Sequence, residues 1–170
     1  GRIDNIQGKV YPCVKGNVEI GCSSVATNFF DDIVYLSKDG LQGIITSELD
    51  SRQIISPRSH FVNNKLISNT DYYNAQMEEW EGYLLILVGD EIYLADSRQK
   101  ASYLSSFGYE WYLWNISEAQ PNILKKYNNK LYIGGKDGAI YKVEGTNDNG
   151  QTIESYWTTP MDNFGYPNHY

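Results

Sequence analysis

Histidine is scarce in this chain, since only His60 and His169 occur among 170 residues. A hydrolytic triad or a two-histidine metal site would depend on these two positions. One lies on a predicted short helix and the other is next to last in the sequence, so the pattern argues against both kinds of site. We therefore assign no catalytic residue, no cofactor-binding residue and no metal ligand, and we expect a protein that is not an enzyme and uses no cofactor.

The chain also lacks a long apolar run and a basic tract. Its longest apolar run, Tyr83–Val88, is far shorter than the roughly 20 residues that a membrane span needs. The first residues do not show the charged-then-apolar pattern of a signal peptide. The formal net charge of −7 repels phosphate backbones and anionic lipid. Neither a membrane nor nucleic acid is therefore an expected partner of this segment.

Cysteine is also scarce and occurs only at Cys13 and Cys22. The alternating runs Lys9–Val14 and Asn17–Cys22 predict a first hairpin, so residues 1–23 are interpreted as an N-terminal hairpin segment. The two thiols would then face each other and could form a disulfide. Two free buried thiols are the favoured alternative, because nothing in the sequence indicates secretion.

Hairpin patterns recur along the chain at a nearly constant interval. In each, one β-rich run meets a short polar turn with a glycine and continues into a second run, as in Tyr83–Val88, Gly89 and Glu91–Ala95. The turn glycines Gly40, Gly89 and Gly138 are separated by steps of about 49 residues, within the range of about 40–50 that is typical of propeller blades.

Further predicted strands complete two four-stranded antiparallel units around the later hairpins. A further blade-like unit, an N-terminal set of strands, comes first and lies in residues 24–46. The second spans residues 72–116, with strands Tyr72–Glu79, Tyr83–Val88, Glu91–Ala95 and Tyr109–Ile116. The third spans residues 122–158, with strands Asn122–Tyr127, Lys130–Gly134, Ala139–Val143 and Gln151–Trp157.

One short helix is predicted between the first two units. Ser56 is a suitable N-cap, and Pro57 suits the first helical position. Three apolar residues then fall on one helix face, namely Phe61, Val62 and Leu66. The helix is expected to end near Asn69.

The predicted fold is all-β, with four-stranded antiparallel blades that form part of a β-propeller and one short helix insertion. Residues 24–170 would form this partial propeller, which contains about three blades. Closed propellers use about 4–8 blades. The chain is therefore expected to be a fragment of a larger propeller or a protomer that completes a ring as a homo-oligomer.

The hairpin segments resemble a known family. Asp32–Gly40, Tyr83–Arg98 and Leu131–Gly138 are similar to β-propeller repeats of tailed-phage and prophage virion proteins, and Asn149–Pro160 is similar to the outer strand after the last such blade. Proteins of this kind are neck, tail-accessory or packaged-DNA-stabilising components. The resemblance implies a structural role in tail or neck assembly, other virion proteins as partners, and a location in the virion after assembly in the bacterial cytoplasm.

Tryptophans are the candidate interaction residues. The predicted strand Tyr109–Ile116 places Trp111 on one face and Trp114 on the other, so neighbouring units should cover both faces. These two residues, with Trp80 and Trp157, would pack between blades or, if exposed, stack on sugars. A carbohydrate-binding or receptor-recognition domain is therefore the alternative to the structural role.

A glycoside hydrolase is the third hypothesis and would need two carboxylates about 5–9.5 Å apart. The candidates all fall at strand ends and turns, namely Asp31, Asp32, Glu78, Glu79, Glu81, Asp90 and Glu91. Asp96 and Arg98 are interpreted as a structural link at the end of the central hairpin. Asn147–Gly150 is interpreted as a turn instead of a calcium loop, and Gly134–Gly135 as a point of close backbone approach.

Overall fold

A computed structural model describes residues 2–3, 13–14, 20–46, 53–103, 106–116, 119–148, 150–156 and 158. Strands dominate these residues, and the larger sheets are all antiparallel meanders in which each strand pairs with the next along the chain. We call them the first, central and third sheets. The predicted all-β class is confirmed.

The first sheet contains four strands in the order β3-β4-β5-β6, namely β3 (Ala26–Phe29), β4 (Asp32–Ser37), β5 (Gly40–Thr46) and β6 (Gln53–Pro57). Gly40 has a φ of 98° at the tight turn between β4 and β5. A left-handed backbone of this kind favours glycine, which explains why the turn signal in the sequence is reliable.

The predicted start of the helix is wrong. Ser56 and Pro57 belong to β6, where Ser56 pairs with Gly43 of β5. Helix α1 begins later and spans Asn63–Ser68, with its buried Leu66 turned toward the sheets. Its end is as predicted, because Asn69 is the C-cap. The N-cap and proline signals are therefore outweighed by backbone pairing with β5.

The central sheet also has four strands, namely β7 (Gln76–Trp80), β8 (Tyr83–Val88), β9 (Glu91–Tyr103) and β10 (Ser106–Asn115). The predicted four-stranded unit is confirmed. Its first strand begins later than predicted, since Tyr72–Asn74 form a 3-10 helix in which the Tyr72 hydroxyl donates a hydrogen bond to the Ser37 carbonyl at 2.6 Å.

The third sheet has three strands, β11 (Pro121–Tyr127), β12 (Lys130–Gly135) and β13 (Ile140–Lys142). The predicted fourth strand, Gln151–Trp157, is not part of it. Instead, β15 (Gln151–Thr152) pairs with β14 (Asn147–Asp148) in a short separate hairpin, and the described residues 153–156 form no strand. Gly150, whose φ is 87°, allows the tight turn of this local hairpin.

Two hydrophobic cores lie on opposite faces of the central sheet. Leu84, Ile86 and Val88 of β8 point into the first core, which also contains residues of the first sheet and Leu66 of the helix. Leu85 and Leu87 point into the second core, with residues of the third sheet. The central sheet is therefore covered on both faces, which explains the continuous apolar run in its sequence.

The N-terminal segment is described only in small part. Strand β1 (Arg2–Ile3) pairs with β2 (Cys13–Val14), so the observed partner of Cys13–Val14 is not the predicted one. Most of the predicted hairpin lies outside the described residues. Cys22 is a free and exposed thiol, so neither the disulfide nor a buried thiol is found at this position.

Among the described residues, the three sheets form an open stack and do not close into a barrel or a ring. The propeller arrangement and the assignment of residues 24–170 to one partial propeller therefore remain predictions.

Replacement of Leu85 by alanine tests the double-sided burial of the central sheet. Leu85 is fully buried in the second core, so Leu85→Ala should lower the free energy of unfolding by about 2–5 kcal/mol through lost burial and a cavity. The matched control is Leu113→Ala in the same sheet, where the side chain is 41% exposed and the change should stay within about 0.5 kcal/mol. Equal urea midpoints for the two variants would contradict the second core.

Candidate functional site

Two of the candidate tryptophans lie together between the central and third sheets. The rings of Trp80 and Trp114 meet edge to face with centroids 6.4 Å apart, and both pack against the second core. The Trp80 indole Nε1 donates a hydrogen bond to the carbonyl of Asn129 at 3.2 Å. Both side chains are half-buried. They therefore pack between the sheets and do not offer a flat exposed surface.

Trp111 lies on the other face of the central sheet. It packs against the first core, and its indole Nε1 donates a hydrogen bond to the Arg58 carbonyl at 3.1 Å. The structure thus places Trp111 and Trp114 of one strand in two different cores, as the alternation in the sequence predicts. Trp157 lies outside the described residues.

The described residues include a buried ion pair that the sequence analysis did not find. Arg58 Nε donates to Asp32 Oδ2 at 2.6 Å, and the Arg58 side chain is fully buried. Arg58 Nη1 donates to the hydroxyl of Ser56 at 2.8 Å. A Cβ atom at Gly43 would lie 2.7 Å from both side chains of the pair, so only glycine leaves room for it.

Tyr109 of the central sheet completes this polar cluster. Its hydroxyl donates to Asp32 Oδ2 at 3.0 Å, and its backbone N–H donates to the Arg58 carbonyl at 3.3 Å. Burial raises the pKa of Tyr109, and the Asp32 charge adds to the effect. The phenol is therefore neutral at physiological pH, and the cluster ties the first sheet to the last strand of the central sheet instead of supplying a nucleophile.

Three further candidate carboxylates, Glu78, Glu79 and Glu91, are paired with lysines of neighbouring elements. Lys125 Nζ lies 3.1 Å from Glu78, Lys126 pairs with Glu79, and Lys65 lies 2.7 Å from Glu91. The remaining candidates, Asp31, Glu81 and Asp90, are exposed in turns.

Asp96 and Arg98 form a local link at the end of the central hairpin. Arg98 Nε and the Arg98 backbone N–H each donate to Asp96 Oδ1 at 2.9 Å, and the hydrogen-bonded guanidinium lowers the pKa of Asp96. The same guanidinium lies over the ring of Tyr83, 4.7 Å from its centroid. This is the geometry expected of a structural clasp between β8 and β9.

The remaining candidates, His60, Gly135 and Asn147, make contacts within the fold. His60 is exposed with its ring against Phe61. A Cβ atom at Gly135 would lie 2.5 Å from the Ala119 carbonyl, which fits the predicted close backbone approach. The Asn147 side chain accepts a hydrogen bond from the Gly150 N–H at 2.9 Å, as in a turn. No cluster of three metal-ligating side chains occurs in the part of the chain that the structure describes.

Side chains of β7, the first strand of the central sheet, form hydrogen bonds with β11, the first strand of the third sheet. The Gln76 amide donates from Nε2 to the Asn122 carbonyl at 2.7 Å and accepts at Oε1 from the Leu124 N–H at 3.2 Å. It therefore bonds β11 as a backbone peptide group would. The first strands β3, β7 and β11 of the three sheets lie side by side in this order.

The outward face of the third sheet carries exposed side chains. By its register, this face carries isoleucines, tyrosines and lysines, and we call it the basic outer face, namely Ile123, Lys125, Tyr127, Lys130, Tyr132, Ile140 and Lys142. Ile123, Tyr127 and Ile140 are 52%, 67% and 77% exposed. Gly134 lies between the two isoleucines, so the apolar surface continues across the strands.

The outward face of the first sheet carries a row of isoleucines directly opposite one another on three strands. Ile33 pairs with Ile44, and Ile44 pairs with Ile55. We call these three residues the isoleucine face. Ile33 is 48% exposed, and the other two are half-buried. The two ends of the stack thus both present apolar side chains.

Comparisons of the chain with family models, curated proteins and solved structures find no match. No helix in the described part of the chain is long and apolar enough to cross a membrane.

Loss of the buried guanidinium of Arg58 should lower the free energy of unfolding far more than loss of the exposed guanidinium of Arg98. Arg58→Met leaves the Asp32 carboxylate buried without its cation and should lower the free energy of unfolding by about 3–5 kcal/mol. Arg98→Met removes an arginine whose side chain is 61% exposed, and the change should be small. Urea denaturation of both variants measures the difference, and equal losses would contradict the structural role of Arg58.

Four buried tyrosines predict a loss of stability at alkaline pH, namely Tyr35, Tyr72, Tyr93 and Tyr109. Burial raises the pKa of each in the folded chain, whereas the unfolded chain releases these protons near pH 10. Their contribution is complete below pH 10 and falls above it, by up to about 1.4 kcal/mol per pH unit for each residue.

Urea midpoints between pH 8 and pH 11 test this pH dependence. Tyr109→Phe should reduce the alkaline slope by about one quarter, whereas the variant of an exposed tyrosine, Tyr73→Phe, should leave the slope unchanged. An unchanged slope in Tyr109→Phe would contradict the raised pKa.

Proposed function

We propose that this chain is a non-enzymatic structural and interaction module of a phage or prophage virion, in its tail or neck assembly, and that its three sheets act as blades of a β-propeller. The observation that carries the proposal is the stack of antiparallel meanders with their first strands side by side. In a propeller, each blade is such a meander, the first strand lies nearest the central axis, and consecutive blades pack face to face.

The spacing of the contacts between sheets supports the blade interpretation. The pairs Gln76–Asn122, Glu78–Lys125 and Trp80–Asn129 join residues that are 46, 47 and 49 positions apart. The turn glycines in the sequence recur at about the same interval, which is typical of blade repeats. The contacts therefore join equivalent positions of consecutive units, as expected of a repeat protein.

We propose that the chain acts by presenting surfaces of defined shape to its partners, without a chemical reaction. Several charged side chains form ties within the fold, as the Asp32–Arg58 pair and the Glu78–Lys125 pair illustrate. Several exposed apolar side chains, such as Ile33, Ile123 and Ile140, lie on the outward faces, where neighbouring subunits of an assembly would bury them. The resemblance of the hairpin segments to virion propeller repeats supplies the biological setting.

The half-buried tryptophans favour the structural role over carbohydrate binding. Trp80, Trp111 and Trp114 contact the cores, and two of them hold backbone carbonyls with their indole N–H groups. A sugar platform needs the face of such a ring to be open to solvent. A glycan array on the purified chain separates the two hypotheses, and specific glycan binding that Trp114→Ala abolishes would favour the alternative.

The virion assignment predicts that the chain is a component of the particle. In a bacterium that carries the gene, particles purified on a density gradient after prophage induction should contain the chain at a fixed ratio to the major capsid protein, measured by quantitative mass spectrometry. Deletion of the gene should yield particles with defective tails or necks. Recovery of the chain only from the particle-free fraction would contradict the proposal.

A further inference from the structure

We propose that the basic outer face of the third sheet binds the isoleucine face of the first sheet in a second copy of this chain, head to tail. This inference rests on the blade interpretation in the proposed function and names the surfaces that would complete the ring. It requires exposed apolar side chains on both faces, and the same order of sheets across the contact as within the chain. On the first sheet these are the isoleucines, since Tyr35 and Gln42 of the same face are buried.

Both faces are contiguous apolar surfaces. Ile123 and Ile140 flank Gly134 on neighbouring strands, and a Cβ atom at that glycine would lie only 3.3 Å from Ile123 Cβ. On the first sheet, cross-strand pairing of Ile33, Ile44 and Ile55 places three branched side chains in one row. Single exposed apolar residues are ordinary, whereas cross-strand rows of this kind are typical of surfaces that become buried.

The two sheets carry charge of opposite sign. Residues 121–142 contain five lysines and one aspartate, whereas residues 26–46 contain three aspartates and one lysine. Three of these lysines are paired within the chain, since Lys125 pairs with Glu78, Lys126 with Glu79 and Lys142 with Glu144. Asp39 of the first sheet is likewise paired with Lys38. Lys130 of the basic outer face and the exposed Asp31 of a second copy are the opposite charges that the contact would bring together.

The proposed contact repeats the arrangement that already exists within the chain. The central sheet presents one face to the first sheet and the opposite face to the third sheet. Placing the outer face of the third sheet on the outer face of another first sheet continues the same order. A head-to-tail contact of this kind forms a closed ring when the rotation between successive sheets brings the last sheet back to the first. Two copies would give six sheets, within the range of about 4–8 blades.

Sedimentation velocity and light scattering of the purified chain test the proposal. From about 1 µM to about 1 mM protein, the mass should rise to twice that of the monomer. The dissociation constant should increase less than about tenfold between about 0.05 and 0.5 M salt, because screening weakens only the exposed Lys130–Asp31 contact while the apolar contact remains. A chain that stays monomeric over this range would overturn the inference.

Charged substitutions on each face identify the surfaces. Ile33→Lys and Ile140→Glu should each raise the dissociation constant at least about a hundredfold, which would leave monomers over most of this concentration range. Phe61→Lys is the matched control, because Phe61 is 58% exposed and lies on neither face. Far-ultraviolet circular dichroism shows whether each variant is folded, and the exposure of Ile140 makes its substitution tolerable in the monomer.

Mixing the two variants distinguishes a head-to-tail contact from a symmetric one. Ile33→Lys keeps an intact basic outer face and Ile140→Glu keeps an intact isoleucine face, so a mixture should form a heterodimer although neither variant associates alone. Self-association of Ile33→Lys would instead indicate that two basic outer faces bind each other and would overturn the inference. Binding of a fluorescent oligothymidine by a monomeric chain would assign this face to single-stranded nucleic acid and would overturn it as well.

The two proposals fail in different ways. A monomeric chain that is nevertheless a stoichiometric component of virions would overturn only the head-to-tail contact. A dimer with the expected mutational pattern that is absent from particles would overturn only the virion assignment.

Discussion

The structure depends on the burial of both faces of the central sheet. Strand β8 has no polar side chain from Leu84 to Val88, and all five residues are buried with alternate residues in opposite cores. A strand of this composition is stable only when other sheets cover it on both sides. The first and third sheets do so, and the stacking of three sheets therefore follows from this one strand.

Apolar burial by itself does not align one sheet with the next, because the hydrophobic effect is not directional. The alignment comes from polar ties at the edges of the cores. The Gln76 amide takes the place of a peptide group beside β11, and the Arg58 carbonyl accepts hydrogen bonds from the backbone of Tyr109 and the indole of Trp111. Each tie has fixed donor and acceptor positions, so each specifies the register between sheets.

Local patterns predicted those parts of the fold that local chemistry decides. The hairpin turns at Gly40 and Gly89 were predictable because a tight turn needs a left-handed backbone. Strand β6 was not predictable from its own residues, since pairing with β5 outweighed the helix-start signal of Ser56 and Pro57. The Asp32–Arg58 pair was also missed, because its partners are 26 residues apart and nothing in the intervening sequence indicates that they meet. The alternation around Trp111 did indicate that this strand separates two cores.

The charged residues of this chain hold sheets together, and this bears on how the protein can act. The cations of Arg58, Lys125 and Lys126 are paired with carboxylates on other strands. Such pairs leave the interior of the stack with fixed geometry and no free reactive group among them. Under the proposed function, partners would contact the outward faces of the first and third sheets and the exposed turns. Recognition would then depend on the side chains of these faces and on the spacing of the sheets, which the ties between sheets hold in place.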